Sequence, residues 1–139
     1  MVNLKTIRLS NQSLQTLAPG IVAVFAGATS GIGLATLKQF AKYVNAPKAF
    51  IIGRNKEKGS QIVDDLKIIN SSGTYVFIQG EFSLIKEVDR ISAEIKKHVA
   101  EEEKGENHVD ILCMSTNYLS LGERKGKLPP SKARGRSDL

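Results

Sequence analysis

Tryptophan is absent from the 139 residues, cysteine occurs once, histidine twice and proline four times. The single cysteine, Cys113, excludes an intrachain disulfide. It sits in an apolar run and reads as a small core residue rather than a nucleophile. His98 and His108 are isolated and bring no second ligand type near them, so no metal site is expected and both read as solvated. No apolar run approaches the roughly 20 residues of a membrane span. Residues 1–20 hold no apolar block of signal-peptide length. A soluble, cytoplasmic protein with no membrane partner is expected.

Acidic side chains are in short supply, and the shortage is local. The chain carries a net charge of +6, and residues 123–139 account for most of it, with six basic side chains against two acidic ones. The body is therefore not a basic nucleic-acid surface. The tail has no aromatic residue on which a base could stack. Nucleic acid is not an expected partner.

What remains is ordinary for a globular domain: 41% hydrophobic and 24% charged residues. The length fits one domain. Residues 1–18 read as a polar lead-in, with Leu14 and Leu17 available to pack on the domain edge, and Pro19-Gly20 breaks any helix there. The apolar run Ile21 to Ala26 suits a strand covered on both faces. A helix is expected over roughly 32–44, its stripe formed by Leu34, Leu37, Phe40 or Ala41, and Val44. Asn45-Ala46-Pro47 ends it. A strand over 48–53 follows, then a helix over 56–69 with Ile62, Val63, Leu66 and Ile69 on one face. A strand over 74–79 leads to a helix over 84–100 with Ile85, Val88, Ile91, Ile95 and Val99 as its stripe. A charged linker over 101–107 precedes a last strand over 109–114.

This alternation implies an α/β fold: a Rossmann-like parallel sheet with flanking helices. Right-handed crossovers give the strand order 3-2-1-4. The pattern stops near residue 118, so the domain over 19–118 reads as truncated after its fourth strand. Residues 119–139 read as a basic, disordered tail.

The chemistry is concentrated where the first strand ends, in Gly27-Ala28-Thr29-Ser30-Gly31-Ile32-Gly33. Such a turn needs residues that tolerate positive φ and let backbone approach a phosphate. The helix that follows aims free N–H groups and a positive dipole end at an anion. Thr29 and Ser30 add hydroxyl or backbone donors. The spacing G-x-x-x-G-x-G differs from the commoner G-x-G-x-x-G, but its place between a strand and an amphipathic helix points to dinucleotide binding.

This heptapeptide closely resembles the cofactor loop of the short-chain dehydrogenase/reductase family, and the resemblance extends over residues 19–118. It implies NAD or NADP bound through Gly27, Thr29, Ser30, Gly31, Ile32 and Gly33. At the end of the second strand, an acidic residue would bind the ribose 2′-hydroxyl of NAD. This chain has Gly53-Arg54-Asn55 instead. An arginine can make charge-assisted bonds to a 2′-phosphate, so Arg54 and Asn55 look like the NADP-preferring members. The plainer reading of Arg54 is a solvated loop residue. Glu81, in Glu81-Phe82-Ser83, is similar to an Asp the family often places near the adenine; Ser83 could equally cap the next helix. Residues 118–124, Tyr-Leu-Ser-Leu-Gly-Glu-Arg, are similar to a fungal branch, many of whose members act on secondary-metabolite intermediates.

Two departures stand out. Met114-Ser115-Thr116-Asn117 replaces the family's Asn-Asn-Ala-Gly, so no asparagine role passes to Asn117. The family's Tyr-x-x-x-Lys pair and its serine are missing: Tyr43, Tyr75 and Tyr118 are followed four residues on by Pro47, Gln79 and Gly122. No catalytic residue is therefore assigned. One expectation is an NADP-dependent oxidoreductase that reduces a carbonyl or oxidises an alcohol on a small molecule. The other is a non-catalytic NADP-binding or interaction module, its fourth strand an open edge that invites a homo-oligomer.

Overall fold

The computed structural model describes residues 1–101 and 108–116. The expected linker and basic tail fall largely outside these residues. Among the described residues, four strands form one sheet: β1 (Val22–Ala26), β2 (Lys48–Gly53), β3 (Thr74–Gln79) and β4 (Ile111–Met114). The order is β3-β2-β1-β4, and all three pairings are parallel. Among the described residues, four α-helices accompany them: α1 (Leu4–Ser13), α2 (Gly31–Tyr43), α3 (Lys56–Ile69) and α4 (Ile85–Ala100).

Side chains alternate across the strands with period two and so build two apolar layers. Ala23, Phe25, Ala49, Ile51 and Tyr75 face Leu37, Phe40, Ala41, Ile62 and Leu66 of α2 and α3. The Phe25 and Phe40 rings meet there, with centroids 5.4 Å apart. Val24, Phe50, Ile52 and Ile78 face the other way, onto Ile91 and Ile95 of α4. The near-continuous apolar runs of β1 and β2 follow from this, since both of their faces are covered.

Three features add to or correct these expectations. The lead-in, given no element in the sequence reading, holds α1 over Leu4–Ser13, with the Asn3 side chain accepting from the Lys5 N–H at 3.0 Å. None of its residues is buried, so no core-facing stripe betrays it. Leu14 packs on the α2–α3 layer, whereas Leu17 stays exposed. Second, α4 buries its apolar stripe only from Ile91 onward: Ile85 is 82% exposed, and Val88 is exposed as well. Ile69 likewise falls outside the core of α3. Third, Ser83 does not cap α4; Leu84 occupies the N-cap and makes no side-chain bond.

His98 is less solvated than expected: it is half-buried and lies against the Phe50 ring at 5.9 Å. His108 is exposed, as expected, with Nε2 2.7 Å from the Asp110 carboxylate. Asp110 also accepts the Val22 N–H at 2.8 Å, which clasps the start of β4 to the start of β1. The half-buried Cys113 packs on the α2–α3 layer, as expected of a small core residue.

Candidate cofactor site

Because the sheet is parallel, the C-terminal ends of its strands arrive at one crest. The Gly27 N–H reaches the Ile52 carbonyl at 3.2 Å, the Gly80 N–H the Gly53 carbonyl at 2.9 Å, and the Ser115 N–H the Ala26 carbonyl at 2.8 Å. In doubly wound sheets ligands bind beyond these ends, where the crossovers diverge on either side of the first strand.

The glycine turn sits at this crest. Gly27 has φ +78° and Gly31 φ +58°, the left-handed region where a side chain costs energy. A Cβ on Gly27 would lie 2.9 Å from the Ser115 carbonyl oxygen, so the turn is packed directly beneath the end of β4. A Cβ on Gly33 would come within 3.0 Å of the Gly27 carbonyl oxygen. At Gly31, by contrast, a Cβ would meet nothing within 4 Å. The packed side of the turn is therefore closed, and the Gly31 side is open. Ser30, at the N-cap of α2, makes no side-chain bond to the helix. The first-turn N–H groups thus lack a side-chain acceptor, as an anion-binding helix start requires. Ser30, Gly31 and Ile32 are exposed here, Thr29 is half-buried, and Gly33 is buried. Thr29 packs over Gly53, where a Cβ would stand 2.6 Å from Thr29 Cγ2.

Beyond β2 and β3 lies a cleft of about 370 Å³ lined by Arg54, Gln79, Gly80, Glu81, Glu87 and Arg90. Arg54 and Glu81 come together there. Asn55 does not line it. Its side chain accepts from the Lys58 N–H at 3.0 Å and caps α3. Gln79, Glu87 and Arg90 are additions that the sequence reading missed. The spacing Glu87, Arg90, Glu94 announces helix-surface ion pairs, yet nothing local shows that Arg90 also reaches β3.

Charge in the cleft is unevenly neutralised. Arg90 pairs with Glu87 at 2.9 Å and with Glu94 at 3.1 Å. The Arg90 hydrogen bond holds the Glu87 carboxyl below its ordinary range, and Glu87 in turn raises the Arg90 guanidinium. Among the described residues, no carboxylate pairs with the Arg54 guanidinium. Arg54 is thus the cation in this cleft left to meet an anionic group. Glycine turn and open helix start together fit a dinucleotide cofactor.

Comparison with known proteins gives the family and the fold. A profile of the short chain dehydrogenase family matches residues 21–121. The chain belongs to that family. Members bind nicotinamide cofactors, and the matched span takes in the glycine turn and every residue of the cleft. Oxidoreductase AN1596 of Emericella nidulans is 38% identical over 124 residues, 89% of this chain and 35% of that protein. The NmrA-like family domain-containing oxidoreductase notO of an Aspergillus species is 39% identical over 127 residues, 90% of this chain and 36% of its own. The chain thus spans about a third of the length of these fungal relatives. Among solved structures, the Escherichia coli oxidoreductase yciK superposes with a TM-score of 0.60 at 16% identity, over 78% of this chain and 40% of that one. L-sorbose reductase from Gluconobacter frateurii, in complex with NADPH and L-sorbose, gives 0.56 at 23% identity, over 68% and 32%. At such identities the superpositions speak for the fold.

Proposed function

We propose that this chain is the NADP-binding portion of an oxidoreductase that reduces a carbonyl or oxidises an alcohol on a small molecule. The observation that carries the reading is the unpaired Arg54, which follows the Gly53 on which Thr29 of the glycine turn packs, at the strand end where an NAD enzyme would place an acidic residue. In this reading Gly27, Thr29, Ser30, Gly31 and Gly33 form the pyrophosphate cradle, and the exposed Ile32 offers apolar surface at its mouth. Arg54 meets the 2′-phosphate, and Glu81 borders the adenosine, while Asn55 contributes by fixing the helix that follows Arg54. The bound cofactor supplies the hydride. The residues of this chain bind and orient it; with no Tyr-x-x-x-Lys among the 139 residues, none is assigned to proton transfer. A role in secondary metabolism belongs to this reading on the resemblance of residues 118–124 to the fungal branch. The expected compartment is the cytoplasm, and no helix among the described residues is long and apolar enough to cross a membrane.

A second reading, a non-catalytic NADP-binding module, is favoured by β4. Ile111, Leu112 and Met114 on that edge strand are exposed, a surface suited to pairing with a second copy.

A thermal-shift titration with NADPH, NADP⁺, NADH and NAD⁺ tests the shared claim. A ligand at a hundred times its Kd stabilises by about 2.7 kcal/mol, so the shift with NADP(H) is expected to be plain and larger than with NAD(H). No shift with either would overturn cofactor binding, and a larger one with NAD(H) would overturn the role of Arg54. Turnover with a panel of carbonyls then separates the two readings: turnover supports the oxidoreductase, and binding without it supports the module.

A further inference from the structure

Resting on the NADP reading, we propose that Gln79 and Arg90 are positioning residues that hold Arg54 for the 2′-phosphate, so that selectivity is set partly from α4. The connection runs through two bonds. Arg90 donates from one terminal nitrogen to the Gln79 carbonyl at 2.7 Å. Gln79 Nε2 donates to the Arg54 carbonyl at 3.0 Å. Helix α4 is thereby tied across the end of β3 to the residue after β2.

Both ends of the tie are braced. The Arg90 guanidinium is gripped by Glu87 through two nitrogens, at 3.3 and 2.9 Å, and by Glu94 at 3.1 Å. The Gly80 N–H on the Gly53 carbonyl fixes the neighbouring peptide, and a Cβ on Gly80 would collide with Ile91, so α4 lies close over this corner. With its donors committed to Glu87, Glu94 and the Gln79 carbonyl, Arg90 acts through its neighbours. The Arg54 side chain is long and exposed. Anchoring its backbone narrows the volume its guanidinium sweeps, and so reduces the ordering that phosphate binding must impose.

The test is calorimetric titration of the full chain with 2′,5′-ADP and with 5′-ADP, which differ in the group Arg54 would meet. Gln79→Met keeps length on an exposed strand position and removes only the bond to Arg54. Affinity for 2′,5′-ADP is expected to fall roughly three- to tenfold, the cost of ordering one freed side chain, while 5′-ADP changes by less than about twofold. Arg90→Ala should do the same, and Arg90→Lys, which retains a donor, should restore most of the loss. In an Arg54→Ala background Gln79→Met should add nothing. Independent, multiplicative losses in that double variant would mean direct contact and overturn positioning. If Arg54→Ala abolishes the preference for 2′,5′-ADP but Gln79→Met and Arg90→Ala leave it intact, the relay is refuted and the NADP reading stands. If Arg54→Ala itself leaves the preference intact, the NADP reading falls and the relay with it. Should Arg90→Ala fail to fold, Gln79→Met decides.

Discussion

Gly27 and Gly31 belong to one turn and share a left-handed backbone, yet alanine at each should fail differently. Left-handed backbone costs an L-residue about 1–2 kcal/mol, and this penalty applies to both. At Gly31 it is the whole cost in stability, because the new methyl meets nothing within 4 Å. At Gly27 the methyl would lie 2.9 Å from both the Ser115 carbonyl oxygen and Thr116 Cγ2. The first of these is backbone and cannot rotate away. Overpacking of this kind adds about 1–3 kcal/mol, so Gly27→Ala should cost about 2–5 kcal/mol in all. Against a total stability of about 5–15 kcal/mol, that is a large fraction. At roughly 4 °C per kcal/mol for a chain of this size, melting should fall by roughly 4–8 °C for Gly31→Ala and roughly 8–20 °C for Gly27→Ala. Binding should rank the two the other way at permissive temperature. The Gly31 methyl stands on the open side of the turn, where the phosphate would approach, and should weaken NADPH at least about tenfold, or about 1.4 kcal/mol. Scanning fluorimetry without ligand, then NADPH titration below both melting points, provides the measurement. If Gly27→Ala melts as high as Gly31→Ala, the packing of the turn under β4 is not as described. If Gly31→Ala binds NADPH normally, the phosphate does not sit over the start of α2.

Three further outcomes follow from other parts of the fold. Asn70 Nδ2 donates to the Ala41 and Val44 carbonyls at 2.9 and 3.1 Å, closing the C-terminal end of α2; Asn70→Ala should cost about 1–3 kcal/mol in a denaturant melt, and no loss would show these carbonyls content with solvent. The Val22 N–H, and then His108, lower the Asp110 pKa. A depressed carboxylate contributes stability above its unfolded pKa, about 4, and loses it as pH falls through the folded value. The melting-point gap between wild type and Asp110→Asn should therefore be widest near neutrality and close in acid; a gap constant from pH 7 to about pH 2 would refute this. Leu112, 64% exposed on the edge strand, should promote pairing of copies, so Leu112→Lys is expected to shift sedimentation toward monomer, and wild type that is already monomeric at high concentration would refute that surface.

The sequence by itself determined the layered fold and the place of its turn. Apolar runs and stripes are local records of burial, so β2, α3 and β3 were legible to the residue, and right-handed crossovers then left one strand order. The glycine turn was legible because positive φ and close backbone approach restrict residue type at fixed spacing. Where burial does not write the pattern, reading failed: α1 is held by its cap and local bonds and buries nothing. The reverse error occurred at Ile85 and Val88, which carry a helical stripe on turns that lie beyond the sheet. The tertiary structure alone decided how the crest is wired. Asn55 turned out to cap α3, and Arg90, 36 residues after Arg54 in sequence, proved to reach it through the strand between them. Hydrogen bonds between strand ends leave no periodicity in a chain, because their partners are chosen by how the parallel strands align and by nothing adjacent in sequence.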